Sequence, residues 1–206
     1  MHVLLINGSP HEKGCTYTAL SLVAGELNAA GITTEILNVG TKPVGGCIGC
    51  GGCAKGNGCV FGGVVNEAIE KAKTANAFVF GTPVHYASAS GNMTSFLDRL
   101  AYAGGKYLAY KPAAICASAR RAGTTSALDQ LVKYPEFFHM PLVSGSYWPM
   151  VHGSNPEQVL QDEEGCAVMK ELGRNMAWLL QCIEAGKAAG ISHPENPRRP
   201  MTNFIR

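Results

Sequence analysis

The sequence predicts an α/β fold: a doubly wound sheet of five parallel strands in the order 2-1-3-4-5, covered by helices on both faces. Three observations predict it. Short, fully apolar runs alternate with helix-period segments along the chain, the pattern of repeated βαβ units around a buried parallel sheet. Crossovers between parallel strands are right-handed, which leaves few topologies. Five strands rather than six favour 2-1-3-4-5 over the six-stranded dinucleotide folds. With 206 residues and 46% apolar side chains, the chain suits one domain with a real core. We expect that domain over residues 1–190, with an irregular, proline- and arginine-containing tail at 191–206.

Each element has its own signal. "HVLLING" (2–8) is apolar and ends at Gly8, a buried first strand. Residues 16–30 repeat apolar side chains at spacings of three and four, and Gly31 closes them as a C-cap. "TTEILNVG" (33–40) alternates like a strand. Residues 41–63 are rich in glycine and cysteine without periodicity, so they read as a loop. Residues 64–75 are helical, "NAFVFGTP" (76–83) is a third strand, and residues 92–103 are helical with Asn92 as candidate cap. "PAAICASA" (112–119) is a strand, 124–134 a helix, and "MPLVSGSY" (140–147) the last strand. A long helical pattern runs from 155 to 190, with Pro156 in its first turn and Gly165 and Gly173 as candidate breaks.

Composition excludes several classes. The net charge is +2, and the pairs Arg120–Arg121 and Arg198–Arg199 are too small to track a phosphate backbone, so no nucleic-acid partner is expected. No apolar run reaches the ~18 residues of a membrane span, and "MHVLLIN" lacks the basic start and cleavage site of a signal peptide. Eight cysteines without a secretion signal point to a reducing, cytoplasmic compartment. There, clustered cysteines indicate metal or redox chemistry.

Ligands of open parallel sheets sit outside the carboxyl ends of the strands, which selects loops 8–16, 41–63, 82–92, 118–124 and 145–153. In "INGSPHEKGCTYTAL" (6–20), a helix start offers free N–H groups and a positive dipole end. Ser9, Thr16 and Thr18 add hydroxyls, His11 adds a donor or cation, and Gly14 lets the backbone come close. The set suits a phosphomonoester; the plain alternative is an ordinary capped turn. Lysine is missing from the P-loop position, and so is GxGxxG. In "GTPVHYASASGNMTSFLDRL" (81–100), amides and small side chains suit the polar edge of a flat ring, with His85 or Tyr86 near its plane; His85 also reads as a loop histidine without a role. Asp98 and Arg99 are adjacent on a helix, do not face each other, and read as structural. In "SARRAGTT" (118–125), Arg120 and Arg121 are either ligand donors or solvated surface arginines.

Together, "LLINGSPHEKGCT", "GTPVHYASASGNMTSFLDR" and "SARRAGTT" resemble the NADPH-dependent FMN reductase family of the flavodoxin-like fold, over residues 1 to about 150. The resemblance implies FMN held by its phosphate at Ser9, His11, Cys15, Thr16 and Thr18, around Gly14. It implies ring contacts from Thr82, Pro83, Val84, His85 and Tyr86, and from Ser118, Arg120, Arg121 and Gly123. Many relatives have arginine in place of His11 and asparagine in place of Cys15. The resemblance also implies NAD(P)H as co-substrate, a small-molecule electron acceptor or a redox protein as partner, and a homodimer or homotetramer. No nucleophile–base pair is visible, so the chemistry falls to the cofactor.

Cys47, Cys50, Cys53 and Cys59 follow C-x2-C-x2-C-x5-C. Thiolates at such gaps can wrap a [4Fe-4S] cluster, and the intervening glycines permit the tight backbone this needs. The motif is similar to that of the iron-sulfur flavoproteins, a branch of the same fold, although Gly62 and Gly63 stand where those place two aspartates. The resemblance implies a second function class, an electron carrier with FMN plus a cluster. Zinc, and four reduced thiols or a labile disulfide, are the alternatives. Cys116, Cys166 and Cys182 lie in apolar patterns and are expected in the core.

Overall fold

The fully apolar runs become the middle of the sheet. β1 (His2–Asn7), β3 (Ala77–His85) and β5 (Ala113–Ala119) lie side by side, flanked by β2 (Thr33–Asn38) and β6 (Met150–His152), all parallel in the order β2-β1-β3-β5-β6. β4 (Ser88–Ala89) folds back antiparallel on the end of β3. Without that short ribbon the order is the 2-1-3-4-5 that the sequence predicts. The computed structural model describes residues 1–197, 200 and 202–204; Arg198 and Arg199 lie outside them.

One face of the sheet carries α1 (Cys15–Ala29), α5 (Pro156–Val159) and α6 (Glu163–Ala188). The other carries α2 (Val64–Thr74), α3 (Gly91–Gly104) and α4 (Thr124–Phe137). α6 crosses α1 so closely at Gly173 that an added Cβ would lie 2.7 Å from the Val23 carbonyl oxygen. The described tail residues form no helix or strand; His193 stacks on Tyr110 with ring centres 4.3 Å apart. Among the described residues no helix is long and apolar enough to cross a membrane.

Four expectations are corrected. The segment 140–147 is not one strand. Ala113 N–H donates to Pro141 O (2.9 Å) and Val143 N–H to Ala113 O (2.8 Å), but Ala117 N–H then reaches Pro149 O (3.0 Å). An unbroken ladder would put Gly145 there. Residues 144–149 instead swell outward, because α6 takes their polar groups. Glu171 accepts from Ser146 N–H (2.7 Å) and Oγ–H (2.6 Å), and Asn175 donates to Ser144 O (2.8 Å). Second, the long helical pattern breaks at Leu160–Asp162, not at Gly165 or Gly173, since Asp162 caps α6 by accepting from Gly165 N–H (2.9 Å). Third, the cap of α3 is Ser90, whose Oγ accepts from Met93 N–H (3.3 Å); Asn92 lies within the first turn. Fourth, of the three expected core thiols only Cys116 is buried. Cys166 is half-buried and Cys182 exposed, on the outer side of α6.

Candidate functional site

The first loop is fixed from its base. Asn7 ends β1 fully buried. Its side-chain N–H groups donate to Asn38 Oδ1 (2.8 Å) and Glu12 O (3.2 Å), and its Oδ1 accepts from Ser9 N–H (3.1 Å). Ser9 is buried, with its Oγ accepting from His11 N–H (3.1 Å), a local turn of the kind serine favours. α1 then starts behind Gly14 with no side-chain cap and no acid in its first turn. Its leading N–H groups and positive dipole end stay available to an anion. Ser90, Asn155 and Asp162 cap α3, α5 and α6, while α2 and α4, like α1, start behind a glycine without a side-chain cap. Thr16, buried, shares a 2.8 Å hydrogen bond with Ser118, and Thr18 donates to Gly14 O (3.2 Å). His11 is exposed at the rim. Burial pushes the Cys15 thiol up despite its own backbone N–H, with Glu157 adding to the rise. The thiol stays neutral and donates toward Gly153 O (3.5 Å).

Two cross-ties hold this loop to its neighbours. Ser90 Oγ donates to Gly8 O (2.8 Å), and Gly8 N–H donates to Gly81 O (2.9 Å), which joins the loop to β3; the Thr16–Ser118 bond joins it to β5. Thr82, buried, accepts from Ser90 N–H and donates to Pro83 O, both at 3.0 Å. Pro83 and Val84 are half-buried. β3 then reverses into β4 through Tyr86 and Ala87, with φ of 50° and 58°. Two positive φ values define a primed hairpin turn, usually built from Asn-Gly, and each costs a residue with a side chain about 1–3 kcal/mol. The surroundings hold it in place. Gln130 Oε1, on α4, accepts from Ser88 Oγ (2.7 Å) and Ala89 N–H (3.0 Å). Gly123 lies so close that an added Cβ would be 2.6 Å from Ala87 Cα. The turn leaves the Tyr86 ring wholly in solvent, with His85 exposed before it. Arg120 and Arg121 are exposed beyond Ser118.

The cysteine loop is organised as well. Asn92 ties its start to α3 by donating to Gly40 O (2.9 Å) and Lys42 O (3.1 Å) and accepting from Val44 N–H (3.1 Å). A 3-10 turn, Gly52–Lys55, carries Cys53 between Gly51 and Gly56, both with positive φ. Cys47, Cys50, Cys53 and Cys59 all line one hollow of about 220 Å³, with Ile48, Val60, Phe61 and Tyr102 in its wall and no carboxylate or imidazole. Among the described residues no three His, Cys, Asp or Glu side chains converge tightly enough for a single metal ion. The thiols are spread around the wall, and all eight cysteines are free.

Residues 1–155 match the NADPH-dependent FMN reductase family. The chain belongs to that family. It is similar to an iron-sulfur flavoprotein of Methanocaldococcus jannaschii, 26% identical over 192 residues, which covers 89% of this chain and all of the relative. An iron-sulfur flavoprotein of Archaeoglobus fulgidus is 29% identical over 175 residues, 83% of this chain and 86% of the relative. Among solved structures, an NAD(P)H:quinone oxidoreductase from Methanothermobacter marburgensis superposes with a TM-score of 0.66 at 17% identity, over 85% of this chain and 96% of that one. At that identity the likeness speaks for the fold.

FMN is the cofactor of this family, and the carboxyl edge of the sheet fits it on its own terms. An uncapped helix start, a neutral thiol and a buried hydroxyl net stand together where a phosphate would go. The structure brings Ser9, Gly14, Cys15, Thr16 and Ser118 to this edge, with Thr82 and the Tyr86 turn tied in through Ser90. Sequence reasoning missed Asn7, Ser90 and Gln130, and it read Arg99 as structural. Ser90 had a signal, since it directly precedes the helix; Gln130 acts through partners far along the chain, and Asn7 through Asn38 as well as through its neighbours Ser9 and Glu12.

Proposed function

We propose that the protein is an FMN-dependent NAD(P)H oxidoreductase that passes reducing equivalents to a flavin, quinone or nitro-type acceptor, or to a redox protein. One observation carries this: the open N-terminus of α1 lies at the switch point of the sheet and is tied to both β3 and β5. Bound FMN supplies the hydride and electron chemistry. The chain binds and orients. Ser9, Thr16, Thr18 and the first N–H groups of α1 would take the phosphate, with His11 and Cys15 beside them and Gly14 allowing approach. Thr82, Pro83, Val84, His85 and Tyr86, with Ser118, Arg120, Arg121 and Gly123, would contact the ring. In stopped flow without oxygen, NADPH should bleach the absorbance of the bound flavin within a turnover. A flavin band that does not change on that timescale overturns the proposal.

A second reading rests on the hollow that all four motif cysteines line, together with the names of the two relatives. In it, Cys47, Cys50, Cys53 and Cys59 hold a [4Fe-4S] cluster that supplies one-electron transfer. The wall fits by donor type: four thiols, apolar neighbours and no carboxylate. Iron and sulfide assays after anaerobic purification test it; less than about one iron per chain, against the four of a cubane, counts against it.

A further inference from the structure

One buried cation faces the cysteine loop. Arg99, on α3, is 7% exposed. Its Nη1 donates to Gly45 O (3.3 Å), its Nη2 to Gly62 O (3.0 Å) and its Nε to Cys59 Sγ (3.2 Å). Its guanidinium carbon lies 5.7 Å from the Phe61 ring centre. Gly45 and Gly62 bracket the motif, so a single rigid fork grips both ends of the loop. Asn66 completes the hold on Cys59, accepting from its N–H (2.8 Å) and donating to its carbonyl (3.0 Å). Cys59 is therefore fixed at sulfur, nitrogen and oxygen. Among the described residues no carboxylate pairs with Arg99. A buried charge without a counter-charge is costly. This one points at a four-thiol hollow that becomes anionic when thiolates ligate a cluster.

We propose that Arg99 is the positioning residue of the four-cysteine loop: it closes residues 45–62 before a cluster arrives and supplies the positive charge that balances the cluster once bound. The second half rests on the iron–sulfur reading above; the first half does not. The two halves use different properties of the side chain. Closure needs the planar fork, which lysine cannot reproduce. Charge balance needs only a cation beside Cys59. A cation and an N–H···S bond favour the more negative, reduced cluster and so raise its potential.

The test uses the full chain loaded with FMN, as wild type, Arg99→Met and Arg99→Lys. Without iron, trypsin cleavage after the exposed Lys55 reports loop opening, and both variants should be cut about tenfold faster than wild type, in proportion to the open population. FMN binding should be the same in all three, which shows that the domain is folded; should Arg99→Met fail to fold, Arg99→Lys carries the cleavage test. After reconstitution with iron and sulfide, the cluster's midpoint potential should fall in Arg99→Met and stay near wild type in Arg99→Lys. Equal cleavage of variants and wild type overturns the closure role. A potential in Arg99→Lys as low as in Arg99→Met overturns the charge role. A wild-type chain that takes up no iron, with cleavage still accelerated in the variants, overturns the cluster reading and leaves the clasp standing.

Discussion

Cys116 and Gly123 show how much depends on single positions. Cys116 is fully buried in β5, and burial pushes its thiol up to about 12. The thiolate is the reactive form, so at pH 8 Cys116 should resist iodoacetamide in the folded chain while the exposed Cys47, Cys50 and Cys182 react. Mass spectrometry of the alkylated peptides reads this directly. Modification of Cys116 as fast as Cys182 would show that β5 is not packed as described. Gly123 has φ of 98°, and an added Cβ would meet Ala87 Cα at 2.6 Å and Val84 Cγ1 at 2.8 Å. The nearer atom is backbone, so the turn must move. Gly123→Ala should cost about 1–3 kcal/mol in a urea melt and weaken FMN binding by shifting Tyr86. An unchanged melt and unchanged titration together would refute the seating of the hairpin on Gly123.

Between elements, the outcome turns on which partner takes the backbone. The bulge at 144–149 exists because Glu171 and Asn175 on α6 accept and donate where β5 would have done so. The Ser146 hydroxyl first, and the Ser146 N–H second, hold the Glu171 carboxyl below its ordinary 4.5. A depressed carboxyl contributes stability above its unfolded value and loses it as pH falls through the folded one. Trp148 lies in the bulge. In a Trp178→Phe background its fluorescence should stay constant down to about pH 4.5 and change below; Glu171→Ala should remove that step. A step that survives Glu171→Ala rules out this latch. The same competition explains what the sequence could reveal. Apolar runs such as "HVLLIN" and "AAICASA" predict buried strands because they have one stable destination. "MPLVSGSY" reads as a strand too, since its apolar start does pair with Ala113, but the loss of the ladder depends on a helix about thirty residues later. Ser90 and Asn92 show the same competition: both can cap, and Asn92 is engaged by Gly40 O, Lys42 O and Val44 N–H while Ser90 accepts from Met93 N–H.

At the scale of the whole molecule, the candidate site joins segments that are far apart in sequence. Loop one reaches β3 through Ser90 and Gly8 and reaches β5 through Thr16 and Ser118; Gly40 passes so close that a Cβ there would lie 2.4 Å from Ser9 O. The local part of this was legible, because hydroxyls, glycines and a helix start are sequence-adjacent from Ser9 to Thr18. The cross-ties were not, since each needs a partner whose position only the completed sheet fixes. A ligand that bridges all three segments should therefore stabilise the global fold and not just one loop. By mass action, FMN at about a hundredfold excess over its Kd adds about 2.7 kcal/mol, or roughly 5–10 °C in Tm for a domain of this size. Riboflavin offers the same ring without the ester, so it loses the N–H groups of α1 and should shift Tm far less at equal concentration. Equal shifts from riboflavin and FMN would mean that the ring alone provides the grip, and the phosphate seat behind Gly14 would have to be abandoned.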